Sequence, residues 1–426
     1  MNLNFLKSIP FYCYLLAFSG TMIIVGVEWD ISWHSSIGRD TFWSPPHMAI
    51  YFGGILAGVT ASYIVLKQTF VNNDMATVNF WGFKGPIACW ITIWGTIAML
   101  TSAPFDDWWH NAYGLDVKIL SPPHVVLAMG IAAIIFGSVL SILSEQNRLN
   151  KKDSISFNIL YLYTSSLLIL MMSVLITEDS FLNKQHGLEF YKKSLILLPI
   201  FIFALIRPSK YKWTFTILAF FYMIHRALLV WILPLFEAEP MLTPIRRDID
   251  YFVAPPFPLF LIIPAFFIDL IRFYFNKYNN YFGNYSFLIK NIFYGFSFSF
   301  IFFVVHWYSS ILLLSPFGRN WFFGTGKTIP YFIGKLYADL EATPERLGEM
   351  YIKSGEKFIN KAGEIVQLIK PELHDYTFWF MDKSAYGDWV IIEPVNLFNF
   401  LPLVLFCIVS CIIGSFIGGW LNRVKR

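Results

Sequence analysis

The stretch Asp30 to His47, DISWHSSIGRDTFWSPPH, returns further along the chain as Asp106 to His124, DDWWHNAYGLDVKILSPPH. Each copy reads carboxylate, three residues, His, then Gly four and Asp six positions after that His, and closes on Ser-Pro-Pro-His. Agreement of this kind within one chain marks an internal repeat. Membrane segments share apolar letters readily. These copies share polar groups with metal-ligand character, so the repeat points to a site.

What flanks the copies decides the fold class. Each lies between long apolar runs, in a chain of 426 residues that is 56% hydrophobic and only 14% charged, with a mean hydropathy of +0.54. That composition excludes an ordinary soluble enzyme and places the chain among polytopic membrane proteins. About ten runs approach the ~20 residues a helix needs to cross a bilayer. The expected fold is therefore all-α, with about ten transmembrane helices near 9–29, 45–67, 85–103, 122–144, 155–176, 194–206, 213–236, 257–270, 291–314 and 401–420.

Basic residues cluster between alternate runs, at Arg148, Lys151 and Lys152, at Arg207, Lys210 and Lys212, and in the tail NRVKR. By the positive-inside bias, both termini are expected in the cytoplasm and both repeat copies on the extracytoplasmic face of the cell membrane. Lys7 precedes the first run and no small-residue cleavage site follows it, so this run reads as a retained span. Cys13, Cys89, Cys407 and Cys411 all fall inside apolar runs and read as buried thiols. The net charge of +4 is modest. The expected partners are the bilayer and other membrane subunits, and no nucleic acid.

Three regions follow from this pattern. Residues 1–314 form the transmembrane domain, 315–396 an extracytoplasmic cap, and 397–426 a last span with its basic tail. Helix formers from Leu336 to Ile369 predict a mostly helical cap. Gly324-Thr325-Gly326-Lys327-Thr328 resembles the tail of a phosphate-binding loop. Trp321 stands where that loop needs its first glycine, so no nucleotide site is read from it. A degenerate third copy spans 239–257. Glu239, Asp250 and the double proline Pro255-Pro256 are kept at the start of a span, while Thr243 and Phe257 replace the histidines.

Asp30 and His34 are four apart, as are Asp106 and His110, so each pair shares a helix face if the preceding span stays helical. Ser44 and Ser121 are natural N-caps, and the prolines suit a first turn, which places His47 and His124 in that turn. The partial positive charge of a helix N-terminus disfavours imidazolium, and neutral imidazole is the form that binds metal. Two imidazoles and a carboxylate per copy suit zinc with an open position, non-haem iron or copper. Asp40 and Asp116 are placed to accept hydrogen bonds from the imidazoles or to bind the ion themselves. Trp29, Trp33, Trp43, Trp108 and Trp109 are expected at the level of the interface. The competing reading of the same residues is a hydrogen-bonded network bracing the loops.

Other imidazoles are separate. His225 beside Arg226 falls near the middle of a span, where ionisable groups mark a substrate path or a structural pair. His306 is expected to pack near a span end, and His186 and His374 to be solvated.

The spacing Asp30-x3-His34-x12-His47 resembles the copper-ligand motif in the C subunit of the membrane-bound copper monooxygenases that oxidise methane, ammonia or short hydrocarbons. Asp106, His110 and His124 match with one residue more. The resemblance implies a copper site, dioxygen as co-substrate and partner subunits in the membrane. The functional expectation is a metal-dependent oxidation of a small or apolar substrate entering from the bilayer. The alternatives are a zinc-dependent hydrolase acting on lipid, a metal-handling or transport protein, and a scaffolding subunit.

Overall fold

The computed structural model describes residues 9–38, 40–71, 75–113, 121–151, 153–181, 184–209, 211–239, 251–278, 285–314, 320–323 and 395–424, with four short strands between 357 and 391. Ten main helices run through the described residues: α1 (Phe11–Ser36), α2 (Pro45–Phe70), α3 (Ile87–Tyr113), α4 (Pro122–Arg148), α5 (Ile155–Ser173), α6 (Leu188–Ile206), α7 (Thr214–Ile232), α8 (Ile262–Lys277), α9 (Ser286–Leu314) and α10 (Leu397–Leu421). A 3-10 turn, Val174–Asp179, prolongs α5.

Eight of these, all but α6 and α8, are long and apolar enough to cross a membrane. The chain is a multi-pass membrane protein. Helix α8 has only 16 residues. Helix α6 starts six residues earlier than the apolar pattern indicates and takes Glu189, Lys192 and Lys193 into its first turns. Lys193 Nζ meets Asp179 Oδ2 at 2.5 Å, across the turn that precedes the helix.

Helices α1 to α4 form a ring in which each packs on the next and α4 returns to α1. Helix α5 packs against α1 and α4, α7 leans on α5 and α8, and α6 and α9 flank α10. The core lies where α4 and α5 meet their neighbours, with Ile134, Ile135, Leu140, Phe157, Tyr161 and Leu162 essentially inaccessible. The outer stripe of α2, Phe52, Ile55, Val59 and Tyr63, is half exposed or more, at the spacing of a lipid-facing side.

The repeat recurs in the packing. Gly53, six residues after His47, sits so close to α1 that a Cβ there would lie 2.7 Å from the Ser19 carbonyl oxygen and 3.0 Å from the Ile23 nitrogen. Gly130, six residues after His124, holds the equivalent place against α3, 2.8 Å from the Gly95 oxygen and 2.7 Å from the Met99 nitrogen. Ser19 and Gly95 stand eleven residues before Asp30 and Asp106, and Ile23 and Met99 stand seven before. The two helical hairpins therefore cross at the same point. They are joined by strands β1 (Val78–Phe80) and β2 (Phe83–Gly85). Their two-residue turn has φ of +50° at Trp81 and +84° at Gly82, the positive values a tight hairpin turn demands.

One expectation is corrected here. Pro255 and Pro256 do not open a helix, because α8 starts only at Ile262 after Phe260 at φ +58°. Pro258 forces the residue before it out of helical geometry, so 251–260 stays irregular. Between 324 and 394 the described residues are two strand pairs, β3 (Lys357–Ile359) with β4 (Ile365–Gln367) and β5 (Met381–Lys383) with β6 (Trp389–Ile391), and the rest of the stretch expected to form the cap lies outside the described residues. Ile359, Ile365 and Val366 favour strand by their β-branching. Residues 324–328, Thr243, Asp250 and His374 lie outside the described residues.

Candidate metal centre

Helix α1 continues past its apolar run to Ser36, which carries Asp30 and His34 on one face near its C-terminus. Two prolines open α2, and His47 occupies the third position of its first turn. Between them the chain bends through Gly38, at φ +86°, and brings Asp40 back over both helix ends. Side-chain exposure is 22% at Asp30, 28% at His34, 16% at Asp40 and 17% at His47. The pocket is half buried and polar.

His34 Nε2 lies 3.7 Å from Asp30 Oδ2 and 3.6 Å from Asp40 Oδ2. One ligand atom each from Asp30, His34 and Asp40 falls within 4.8 Å of the others. His47 stands beside this group, its Nε2 at 3.3 Å from Asp30 Oδ1 and 3.0 Å from Asp40 Oδ2. Asp40 thus stands among the ligand atoms, not behind them.

The far side of the His47 ring sets its chemistry. Nδ1 lies 2.9 Å from the Thr41 carbonyl oxygen, which accepts only from a protonated Nδ1. Nε2 then faces two carboxylate oxygens, and a lone pair there would be repelled. A positive group has to lie between them, either a second ring proton or a bound cation. Donation of the remote N–H to a backbone carbonyl is also how proteins orient metal-ligating imidazoles. Burial pushes the Asp40 carboxyl up, but the hydrogen bond with His47 and the charges of His34 and His47 outweigh burial and hold it below the ordinary carboxylate value.

The second copy is built alike where it is described. His124 Nε2 lies 3.4 Å from Asp106 Oδ1, and Ser121 Oγ accepts the His124 backbone N–H at 3.3 Å. Ser44 holds the corresponding cap position by its backbone, yet its hydroxyl makes no capping bond. The side chain of His110 and all of Asp116 lie outside the described residues. Trp43 and Trp108 are exposed by 70% and 54%, while Trp33 packs edgewise on Trp29 and against Phe252.

His225 and Arg226 do not join this pocket. They meet Glu28 on the opposite face of α1. Arg226 Nη1 pairs with Glu28 Oε1, His225 Nε2 lies 2.9 Å from Glu28 Oε2, and Arg226 Nη2 donates to Ser173 Oγ at 2.9 Å. The guanidinium also lies over the ring of Phe257, the residue that replaces the second histidine in the degenerate copy. Sequence reasoning missed Glu28, although a lone carboxylate among Val27 and Trp29 near the end of an apolar run was a visible signal. His306 is fully buried and stacks on Phe302 at 3.9 Å. His186 was expected in solvent and is 2% exposed, edge-on to Trp307 at 4.1 Å. Its backbone carbonyl accepts the Val395 N–H, which draws the turn inward. Burial pushes the His186 imidazole down to about 4.

Compared with family models, with curated proteins and with solved structures, the chain matches none.

Proposed function

We propose that this chain is a membrane metalloprotein in which Asp30, His34, Asp40 and His47 hold a transition-metal ion at the extracytoplasmic surface, with copper the favoured ion over zinc and iron. In this reading the ion supports oxidation of a small or apolar substrate that arrives from the bilayer, with dioxygen as co-substrate and other membrane subunits as partners. The single observation that supports it is the clamping of His47 Nδ1 on the Thr41 carbonyl, which aims Nε2 between two carboxylates. An ion that displaces the second ring protons leaves two neutral imidazoles and two carboxylates, a net charge of −2 that a divalent cation neutralises, and mixed N and O donors suit copper, zinc or iron.

A zinc-dependent hydrolase acting on lipid is the second reading. Its support is the placement of Asp40, whose carboxylate stands beside both imidazoles and in this reading takes a proton from attacking water rather than binding the ion.

Elemental measurement on protein purified in detergent tests both. Copper or iron near one ion per chain, lost in His34→Ala and His47→Ala, supports oxidation, and zinc lost in the same variants supports hydrolysis. Metal content unchanged by both substitutions would remove the site. No bound metal in the wild-type chain would leave the bracing network as its explanation.

A further inference from the structure

The two copies meet across a helix seam. Gly54 of α2 packs on Met99 of α3, Gly58 packs on Thr96, and Thr96 Oγ1 donates to the Gly54 carbonyl at 3.2 Å. The pairing of the later α2 residue with the earlier α3 residue makes these helices antiparallel. His47 stands seven residues before Gly54, and Asp106 stands seven after Met99. Seven residues are close to two turns, about 10.5 Å along the axis with the facing direction changed by only about 20°. His47 and Asp106 therefore lie at the same end of the seam.

Tyr51 lies on this α2 stripe between His47 and Gly54. Its ring is 6.0 Å from the His47 ring and 5.3 Å from Phe42. Its hydroxyl is within electrostatic reach of Asp106 and Asp107 from one copy and of Asp30 and Asp40 from the other. The repeat makes its position unequal, for the residue four after His124 is Ala128. One phenol therefore lies within reach of carboxylates from both copies.

We propose that the two copies form a single centre across the α2–α3 seam, in which an ion held by Asp30, His34, Asp40 and His47 and an ion held by Asp106 and His124 interact with each other, with the Tyr51 hydroxyl between them. This rests on the metal-binding reading above. It assigns Tyr51 a positioning role between the ions, a role the spacing of the motifs does not specify.

The test uses the full chain in detergent, titrated with Cu(II) and followed by equilibrium binding and electron paramagnetic resonance. The wild type is expected to show two classes of ion with a spectrum broadened by their coupling. Asp106→Asn removes a negative charge facing the first set and is expected to weaken Cu(II) at that set about tenfold. Tyr51→Phe, which keeps the ring, is expected to shift the spectrum without loss of fold. Should Asp106→Asn fail to fold, His124→Asn and Tyr51→Phe carry the same comparison. Affinity and spectrum of the first ion unchanged in these variants would overturn the single centre while leaving metal binding intact. Absence of Cu(II) binding in the wild type would instead end the metal reading and this inference with it.

Discussion

Glu28 on α1 and Arg226 on α7 form an ion pair inside the helical bundle, with Glu28 1% and Arg226 2% exposed. Glu28 lies with Ser32 and Ser36 on one face of α1, opposite Asp30 and His34, because residues four apart stack and residues two apart diverge by about 200°. Ser36 Oγ accepts the Val253 N–H at 2.9 Å on that same face. Polar contacts on one side thus hold the rotation of the helix whose other side presents the candidate ligands. Arg226→Met leaves the buried Glu28 carboxylate facing only the His225 imidazole and is expected to cost about 3 kcal/mol. The double variant Glu28→Leu with Arg226→Met removes both charges and is expected to recover most of that loss. Unfolding in detergent measures both, and equal losses in the single and double variants would refute the assignment.

Gly53 and Gly130 occupy the same crossing in the two hairpins, with backbone atoms of the facing helix under 3 Å from a built Cβ. Backbone cannot swing aside as a flexible side chain does. Gly53→Ala and Gly130→Ala are each expected to destabilise by about 1–3 kcal/mol. Thermal unfolding checks this, and a neutral effect at one position with a large one at the other would break the equivalence of the copies.

The caps separate the copies. Ser121 Oγ accepts the His124 N–H, whereas the Ser44 hydroxyl does not cap α2. Ser121→Ala is expected to cost about 1 kcal/mol, and Ser44→Ala close to nothing. Chemical denaturation of the two variants, run side by side, would expose a reversed order.

His186 supplies a pH dependence. Its folded value is pushed down to about 4 from the ordinary 6.5 by burial, so the unfolded chain binds the proton more readily between those values. Stability is expected to be fully present above about 6.5 and to fall as pH drops toward 4, by up to on the order of 3 kcal/mol. His186→Phe should flatten that slope. An unchanged slope in this variant would show that the imidazole is not the titrating group.

Much of the architecture was legible from letters because the bilayer imposes it. Satisfying every backbone group without water requires helices, and runs such as those of α2, α4 and α10 announce themselves by length. The weaker helices were harder to read. The charges of Lys192 and Lys193 hid the start of α6, and the prolines of 255–258 look like those that open α2 and α4 until the third one is counted. His186 looked solvated because its neighbours are polar, and only the packing of Trp307 and Val395 buried it.

The amino-acid sequence alone determined that Asp30 and His34, and Asp106 and His110, lie one turn apart, and that His47 and His124 start helices, since these are consequences of local helix geometry. Tertiary structure decided that Asp40 returns among the ligand atoms, that His47 reaches Asp30, that Glu28 takes Arg226 and His225 to the opposite face, and that α2 and α3 bring His47 and Asp106 to the same end of their seam. Those relationships depend on how helices rotate and cross, and that is set by the close approach of glycines such as Gly53, Gly54 and Gly130 to a neighbouring helix rather than by any pattern within one helix.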